Sequence, residues 1–229
     1  MSIQKRCIYS RTATNILLIL LICVLYIATS EPSVYGVMAP VYRGGAKDKV
    51  ALQCAVSWDA DALTDMLDTL KSKGVSITFF ISGEWAQKNG ESLRRMIEEG
   101  HEIGTMGMKP GADGPVGWVC EDIEESISCI KRMGGVEPKL YYSGTRDTDV
   151  SSRAARKSGV THVLCTVDLL CARGSYQDIV SRALDRPLHG SIMLMQPTKA
   201  AAQALPLVLD ELSKKGFEIT CTSQVISAG

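Results

Sequence analysis

From Lys49 onward the chain alternates between short apolar runs and amphipathic stretches, and this alternation restricts its fold more than any other feature of the sequence. The first run, "KVALQCAVS", is typical of a buried strand. The stretch after it, "DALTDMLDTLKSKG", has apolar residues at helical spacing and ends at Gly74. About seven such units follow one another, which predicts a parallel sheet covered by helices. Because they fit into about 180 residues, we predict an α/β fold, a distorted or incomplete (β/α) barrel of about seven parallel strands.

The individual elements follow from the same periodicities. The predicted strands are 49–57, 75–82, 101–106, 138–143, 161–170, 190–196 and 217–222. The predicted helices are 61–74, 91–100, 120–135, 149–159, 176–184 and 200–216, and a Gly- and Pro-rich loop occupies 107–117. A (β/α) barrel carries its chemistry at the carboxyl ends of the strands, so we expect the functional residues in the segments that follow them. These segments are 55–61, 105–110, 142–147, 165–168 and 195–198.

The amino terminus has the order of a secretory signal peptide. Lys5, Arg6 and Arg11 precede the apolar run "NILLILLICVLYIA", and small residues follow, which predicts cleavage after Ser30. The run of about thirteen residues is shorter than the roughly 20 that a membrane span needs, so an uncleaved membrane anchor is the alternative. Either interpretation predicts an exported protein. The chain then has three parts: 1–30 as signal peptide or anchor, 31–48 as linker, and 49–229 as the main domain.

Charge and cysteine content narrow the classes of partner. The formal net charge is +0, which gives no electrostatic reason to expect nucleic acid. Six cysteines lie beyond the amino-terminal segment, and none forms a Cys-x-x-Cys pair of the kind that holds zinc. An even number outside the cytoplasm permits disulfides, although several lie in strand-like runs and are expected to pack as small apolar side chains. They are Cys54, Cys120, Cys129, Cys165, Cys171 and Cys221.

Two stretches, "ITFFISGEWA" and "EEGHEIG", resemble the polysaccharide deacetylases, the NodB-homology domain of carbohydrate esterase family 4. The stretches "HGSIMLMQ" and "KKGFEI" support the resemblance, which covers roughly 49–226. The position of Trp58 looks most like the sporulation-associated subgroup. The resemblance implies a distorted barrel of about seven strands, in agreement with the alternation. It also implies zinc-dependent removal of N-acetyl groups from peptidoglycan or chitin-like glycans.

In an active member, zinc polarises the acetamide carbonyl and activates water, an aspartate takes the proton, and a histidine protonates the leaving amine. The resemblance places the base, an arginine and the acid on Ala55, Tyr142 and Gln196. It places the metal ligands on Val56, on Met106, and on Lys109 or Pro110. None of these residues is a carboxylate or a histidine. The resemblance therefore predicts a pseudoenzyme that has lost the zinc site together with the base and the acid.

Neighbouring carboxylates offer an alternative set of ligands. Asp59 and Asp61 in "SWDAD" could replace the lost pair only through a four-residue shift against a well-matched helix. The simpler prediction is that one of them caps that helix. Asp168 with distant partners is a further option for zinc. The histidines His101, His162 and His189 are not spaced as ligands on a helix or short loop.

Three functions follow from these observations. The leading one is an exported, catalytically degenerate domain that binds an N-acetylated glycan or a cell-envelope protein, with sporulation as a candidate setting and no cofactor. The second is an active hydrolase that uses zinc through non-standard ligands. The third is a structural envelope protein that contacts the membrane through its amino terminus. The candidate groove residues are Trp58, Asp59, Asp61, Tyr142, Asp168 and Gln196.

Overall fold

The computed structural model of the chain describes residues 18–21, 39–58, 61–185 and 189–227. The chain divides into two compact units, Met1–Met38 and Ala39–Gly229. In the first unit only 18–21 are described, and they are helical. None of the described helices is long and apolar enough to cross a membrane. Nearly all of the predicted signal peptide or anchor lies outside the described residues and stays a prediction.

A single sheet of parallel strands forms the centre of the second unit. In the described residues it has eight strands, in the order β5-β4-β3-β2-β1-β7-β6, with β8 paired to the start of β1. The strands are β1 (Lys49–Val56), β2 (Thr78–Ile81), β3 (Glu102–Thr105), β4 (Leu140–Tyr141), β5 (Thr161–His162), β6 (Val167–Asp168), β7 (Ile192–Met195) and β8 (Glu218–Thr220). Strand β1 is central because residues 53–56 pair with β2 on one side and residues 51–54 pair with β7 on the other. The predicted incomplete (β/α) barrel is confirmed.

Helices cover the outer face of the sheet. They are α1 (Ala62–Lys73), α2 (Gly83–Lys88), α3 (Gly90–Glu98), α4 (Val116–Gly134), α5 (Thr148–Lys157), α6 (Tyr176–Asp185) and α7 (Lys199–Lys214). A further short helix, α8 (Thr222–Ile226), packs on the other face through Val225 and Ile226. Helix α7 packs against α1 and α6, and α4 packs against α2 and α5. Gly74 ends α1 with a left-handed φ of 63°, as its position after the amphipathic run predicts.

Strand alternation sorts the side chains into two layers. Leu52, Cys54 and Val56 belong to the large cluster beneath the helices. Ala51 and Ala55, which alternate with them, belong to a second cluster that we call the barrel interior. It also contains side chains from the other strands, among them Phe80, Met106, Leu140, Val163, Ile192 and Leu194. The inward-facing residues at the carboxyl ends of the strands therefore form the floor of the expected site.

Part of the predicted linker contributes to the barrel. The backbone N–H of Val41 donates to the carbonyl of His162 at 2.9 Å, and the N–H of Leu164 donates to the carbonyl of Val41 at 2.9 Å. Two residues further on, Arg43 forms an antiparallel bridge with Ser191. These pairings place 41–43 between β5 and the start of β7, where the sheet itself leaves a gap.

One predicted strand, 161–170, is wrong as a single element. The structure divides it into β5, which pairs with β4, and β6, which pairs with β7 on the other side of the sheet. Val163 and Cys165, between the two strands, still pack against the interior. Residues 163–166, which connect the two strands, continue the same apolar pattern. The sequence therefore did not indicate that the chain passes from the edge beside β4 to the edge beside β7. The structure also starts α4 at Val116, inside the predicted loop, and adds the short helices α2 and α8.

Candidate functional site

The carboxyl ends of the strands place the sequence-predicted residues on two different sides of the sheet. Ala55 and Met106 are buried in the barrel interior, and the half-buried Tyr142 packs against it. Val56 is fully buried on the opposite side, beneath the helices. The two positions at which the resemblance expects an aspartate pair thus face opposite sides of the sheet. A methyl and an isopropyl group also provide no lone pair for a metal.

The alternative carboxylates do not form a cluster in the described part of the chain. There, no three His, Cys, Asp or Glu side chains lie close enough together to hold a metal ion. Asp59 lies outside the described residues. Asp168 is exposed at the end of β6, and its Oδ1 accepts a hydrogen bond from the Leu170 N–H at 2.8 Å.

Of the two candidate caps of α1, Asp59 lies outside the described residues and Asp61 does not cap the helix. Asp61 occupies the N-cap position, but its side chain makes no capping hydrogen bond. Its backbone is already helical, with φ −53° and ψ −35°, whereas a capping residue needs an extended ψ. Asp147 illustrates the difference: with ψ 127° it accepts a hydrogen bond from the Val150 N–H and caps α5.

Tyr142 packs against the ring of Phe80 and lies near the side chains of Cys165 and Asp168. Its ring centroid is 5.7 Å from that of Phe80, at a tilted angle. Burial raises the pKa of the Tyr142 hydroxyl, and the nearby Cys165 and Asp168 raise it further. Burial and the charge of Asp168 also raise the pKa of the Cys165 thiol to about 11. Both groups are therefore neutral at pH 7, beside a carboxylate.

Gln196 and Trp58 complete the described part of the predicted groove. Gln196 follows β7, and its Oε1 is buried without a hydrogen-bond partner among the described residues. A buried acceptor without a donor is destabilising, and such a group points to a bound water or ligand. Trp58 follows β1 with 44% of its surface exposed, so its ring is open to solvent.

The loop after β3, which replaces the expected histidine pair, is held by an ion pair that sequence reasoning missed. Arg146 Nη2 donates to Asp122 Oδ2 at 2.7 Å, and both side chains are almost fully buried. The other oxygen of Asp122 accepts from the Lys109 N–H at 3.0 Å, and Arg146 also donates to the Lys109 carbonyl. The ring of Trp118 lies 5.5 Å from the Arg146 guanidinium. The pair thereby fixes the backbone of the predicted ligand position Lys109.

Gly107 makes this arrangement sterically possible. Its φ is 83°, a left-handed conformation that favours glycine. A Cβ at this position would lie 2.0 Å from Asp122 Oδ2. The Gly107 N–H also donates to Thr105 Oγ1 at 3.0 Å. In the sequence, the only indication of this close approach between the loop and α4 was the glycine in "TMGM", Gly107.

The three histidines lie away from this floor. His101 Nδ1 accepts from the Ile77 N–H at 3.2 Å, at the start of β2. His162 lies between the hydroxyls of Ser143 and Ser152, each at 2.9 Å, and burial lowers its pKa to about 4. His189 is exposed, and its ring packs against Phe217.

Comparison with known proteins identifies the family. Residues 45–163 match the family model described as polysaccharide deacetylase, which is just over half of the chain. The chain belongs to the polysaccharide deacetylase family. The resemblance noted from "ITFFISGEWA" and "EEGHEIG" is thus confirmed, whereas the sporulation-associated subgroup and the loss of the catalytic residues stay predictions.

Two curated relatives come from bacilli. An uncharacterised protein of Bacillus subtilis, YlxY, is 28% identical over 193 residues, which cover 82% of this chain and 60% of that protein. The peptidoglycan-N-acetylglucosamine deacetylase of Bacillus cereus is 27% identical over 184 residues, which cover 74% of this chain and 65% of that protein. This polysaccharide deacetylase chain therefore spans less than two thirds of the length of either relative.

Among solved structures, a CE4 family pseudoenzyme from Bacillus anthracis, BA3943, superimposes with a TM-score of 0.78. The match is 22% identical and covers 83% of this chain and 69% of that one. At this identity, the similarity establishes a common fold.

Proposed function

We propose that this chain is an exported, catalytically degenerate polysaccharide deacetylase that binds cell-wall glycan at the carboxyl ends of its strands. The observation that carries the proposal is the chemistry of the inward-facing floor. Ala55 stands at the position of the base, Met106 at that of a metal ligand and Gln196 at that of the acid. A methyl group, a thioether and a neutral amide cannot perform those steps at neutral pH.

These residues do not fit a zinc ion. Zinc in hydrolases is held by histidine, carboxylate or thiolate ligands. Val56 lies beneath the helices, Met106 offers only a soft thioether, and the backbone of Lys109 is held by Asp122 and Arg146. We therefore derive no catalytic step through a metal at this site.

Binding of a glycan is supported by the groups that remain at the carboxyl ends of the strands. Trp58 offers an exposed aromatic face and Tyr142 a neutral hydroxyl, and Gln196 offers a buried acceptor that has no partner among the described residues. Aromatic surfaces beside hydrogen-bonding groups suit ligands that have both apolar faces and hydroxyls. Peptidoglycan is the substrate named for the Bacillus cereus relative, and it is the ligand we propose. The position of Trp58 supports a setting in sporulation.

The test combines binding and catalysis. The full chain in detergent micelles is incubated with insoluble peptidoglycan and sedimented, and acetate release is followed with and without added zinc. We expect the chain to sediment with the glycan and to release no acetate above the blank. Trp58→Ala should weaken retention, whereas Leu207→Ala, which removes an equally exposed apolar side chain from α7, serves as the matched control.

Two other results would support different functions. Zinc-dependent release of acetate would favour the hydrolase with displaced ligands such as Asp61 and Asp168. Failure to sediment with peptidoglycan or with other N-acetylated glycans would favour the structural envelope protein or a protein partner.

A further inference from the structure

We propose that the floor of this site prefers an amino sugar whose nitrogen is free and positively charged over the N-acetylated sugar. The inference rests on the proposed glycan-binding function and specifies the form of glycan that the site selects. In a family named for removing acetyl groups, this free amine is the product of the reaction. The degenerate domain would then recognise glycan that an active relative has already modified.

The first argument is the charge of the inward-facing layer. The inward residues at the carboxyl ends of the strands are all neutral except for one carboxylate, that of Asp168. They are Ala55, Phe80, Met106, Tyr142, Cys165, Asp168 and Gln196. Among nearby cations, Arg146 is neutralised by Asp122, and Lys109 lines a groove of about 190 Å³ with Glu121 and Glu125 on α4. Arg182, on α6, donates to the carbonyls of Leu169 and Arg173 and lies near the carboxylate of Asp178. A site whose one charged side chain is a carboxylate favours a cationic ligand.

The second argument is the way in which Asp168 is held. Val167 and Leu169 on either side of it pack beneath the helices, so Asp168 faces the interior side of the sheet. Its Oδ1 accepts from the Leu170 N–H, and its Oδ2 has no hydrogen bond among the described residues. Leu170 has a φ of 50°, a left-handed conformation that is unusual for leucine. The hydrogen bond from Leu170 holds the carboxylate with its second oxygen free to accept from a ligand.

The third argument compares the hydrogen-bonding capacity of the two sugars. Gln196 Oε1 is a buried acceptor that lacks a donor in the described part of the chain, and Asp168 Oδ2 is a second acceptor. Asp168 pairs in register with Leu194, two residues before Gln196, so the two acceptors lie on adjacent strands. An ammonium group has three donors for them, and the ring of Tyr142 is a further attractive surface for a cation. An acetamide has one N–H and adds a carbonyl oxygen, which needs a donor of its own. Met106, at a position where an active site would hold the metal that polarises that carbonyl, offers none.

The experiment measures the affinity of the full chain in detergent micelles for two glucosamine oligomers of equal length. One is fully N-acetylated and the other is fully de-N-acetylated, and the pH is about 6, at which amines are protonated. We expect the de-N-acetylated oligomer to bind about tenfold more tightly. Asp168→Asn should abolish the preference by weakening binding of the de-N-acetylated oligomer about tenfold. Asp65→Asn, which removes an exposed carboxylate from α1, should retain the preference.

A second variant strengthens the test. Gln196→Glu places another carboxylate beside Asp168 and should increase the preference further. Equal affinity for the two oligomers, or tighter binding of the acetylated one, would overturn the inference and leave the proposed function standing. A preference that survives Asp168→Asn would also overturn it, because the selectivity would then come from general charge attraction. Failure of both oligomers to bind would refute the proposed function and, with it, this inference.

Discussion

Replacing Arg146 by methionine should destabilise the domain more than almost any other single substitution of a charged residue. Met keeps much of the apolar volume of the arginine stem and removes the guanidinium. Asp122 would then keep the Lys109 N–H as its hydrogen-bond donor but would lose the only cation with which it pairs in the described residues. The Lys109 carbonyl and the Tyr141 hydroxyl would each lose a donor as well.

The magnitude follows from the burial of the pair. The side chain of Arg146 is 1% exposed and that of Asp122 is 5% exposed, so water cannot replace the lost partner without a structural change. Breaking a buried ion pair from one side costs about 3–5 kcal/mol. For a domain of this size that corresponds to a fall in the melting temperature of about 10 °C. The double variant Asp122→Asn with Arg146→Met should recover part of the loss, because no uncompensated charge remains buried.

The assay is urea unfolding followed by circular dichroism, with thermal melting as a second measurement. Arg153→Met, which removes an exposed arginine from α5, is the matched control and should change the free energy of unfolding by less than about 0.5 kcal/mol. If Arg146→Met lost no more than this control, the ion pair would contribute nothing and our account of the loop after β3 would be refuted.

Two further predictions concern the same region. Gly107→Ala should cost about 2 kcal/mol or more, since its Cβ would meet Asp122 and its φ is left-handed, whereas Gly117→Ala, with open space around its Cβ in α4, should be neutral or stabilising. Equal stability of these two variants in urea would contradict this interpretation of Gly107. Burial lowers the pKa of His162 to about 4, so its side chain is neutral in the folded state at neutral pH. Its contribution to the free energy of unfolding is therefore complete above its ordinary pKa of about 6.5. As the pH falls from about 6.5 to about 4, the free energy of unfolding should decrease by about 3 kcal/mol at most. His162→Gln should lack this decrease. An identical pH dependence in the variant would show that His162 is not its source.

The sequence predicted much of the fold because most of it depends on local pattern. Amphipathic spacing and a closing glycine defined α1 between Ala62 and Gly74, and apolar runs located the strands within a few residues. The alternation of β1 also determines that Ala55 and Val56 face opposite sides, as they do in the structure. The predicted loss of the catalytic residue types also comes from the sequence, since it needs only the family resemblance and the residues of the chain.

The structure was needed wherever two distant segments meet. The run 161–170 has the composition of one strand, and only the pairing of β5 with β4 and of β6 with β7 shows that it crosses the barrel. Asp61 has the residue type of a helix cap, but its helical backbone angles prevent it from capping.

By itself the sequence determined the alternation of strands and helices, the parallel sheet and the chemistry available at each position. Only the tertiary structure decided that Asp122 and Arg146, 24 residues apart, form a buried pair beneath the loop after β3. It also decided that Asp168, Tyr142 and Gln196 line the same side of the sheet. The physical reason is that periodicity and residue type act between near neighbours in the chain. The partner of a buried charge, in contrast, depends on which strands and helices become adjacent when the core packs.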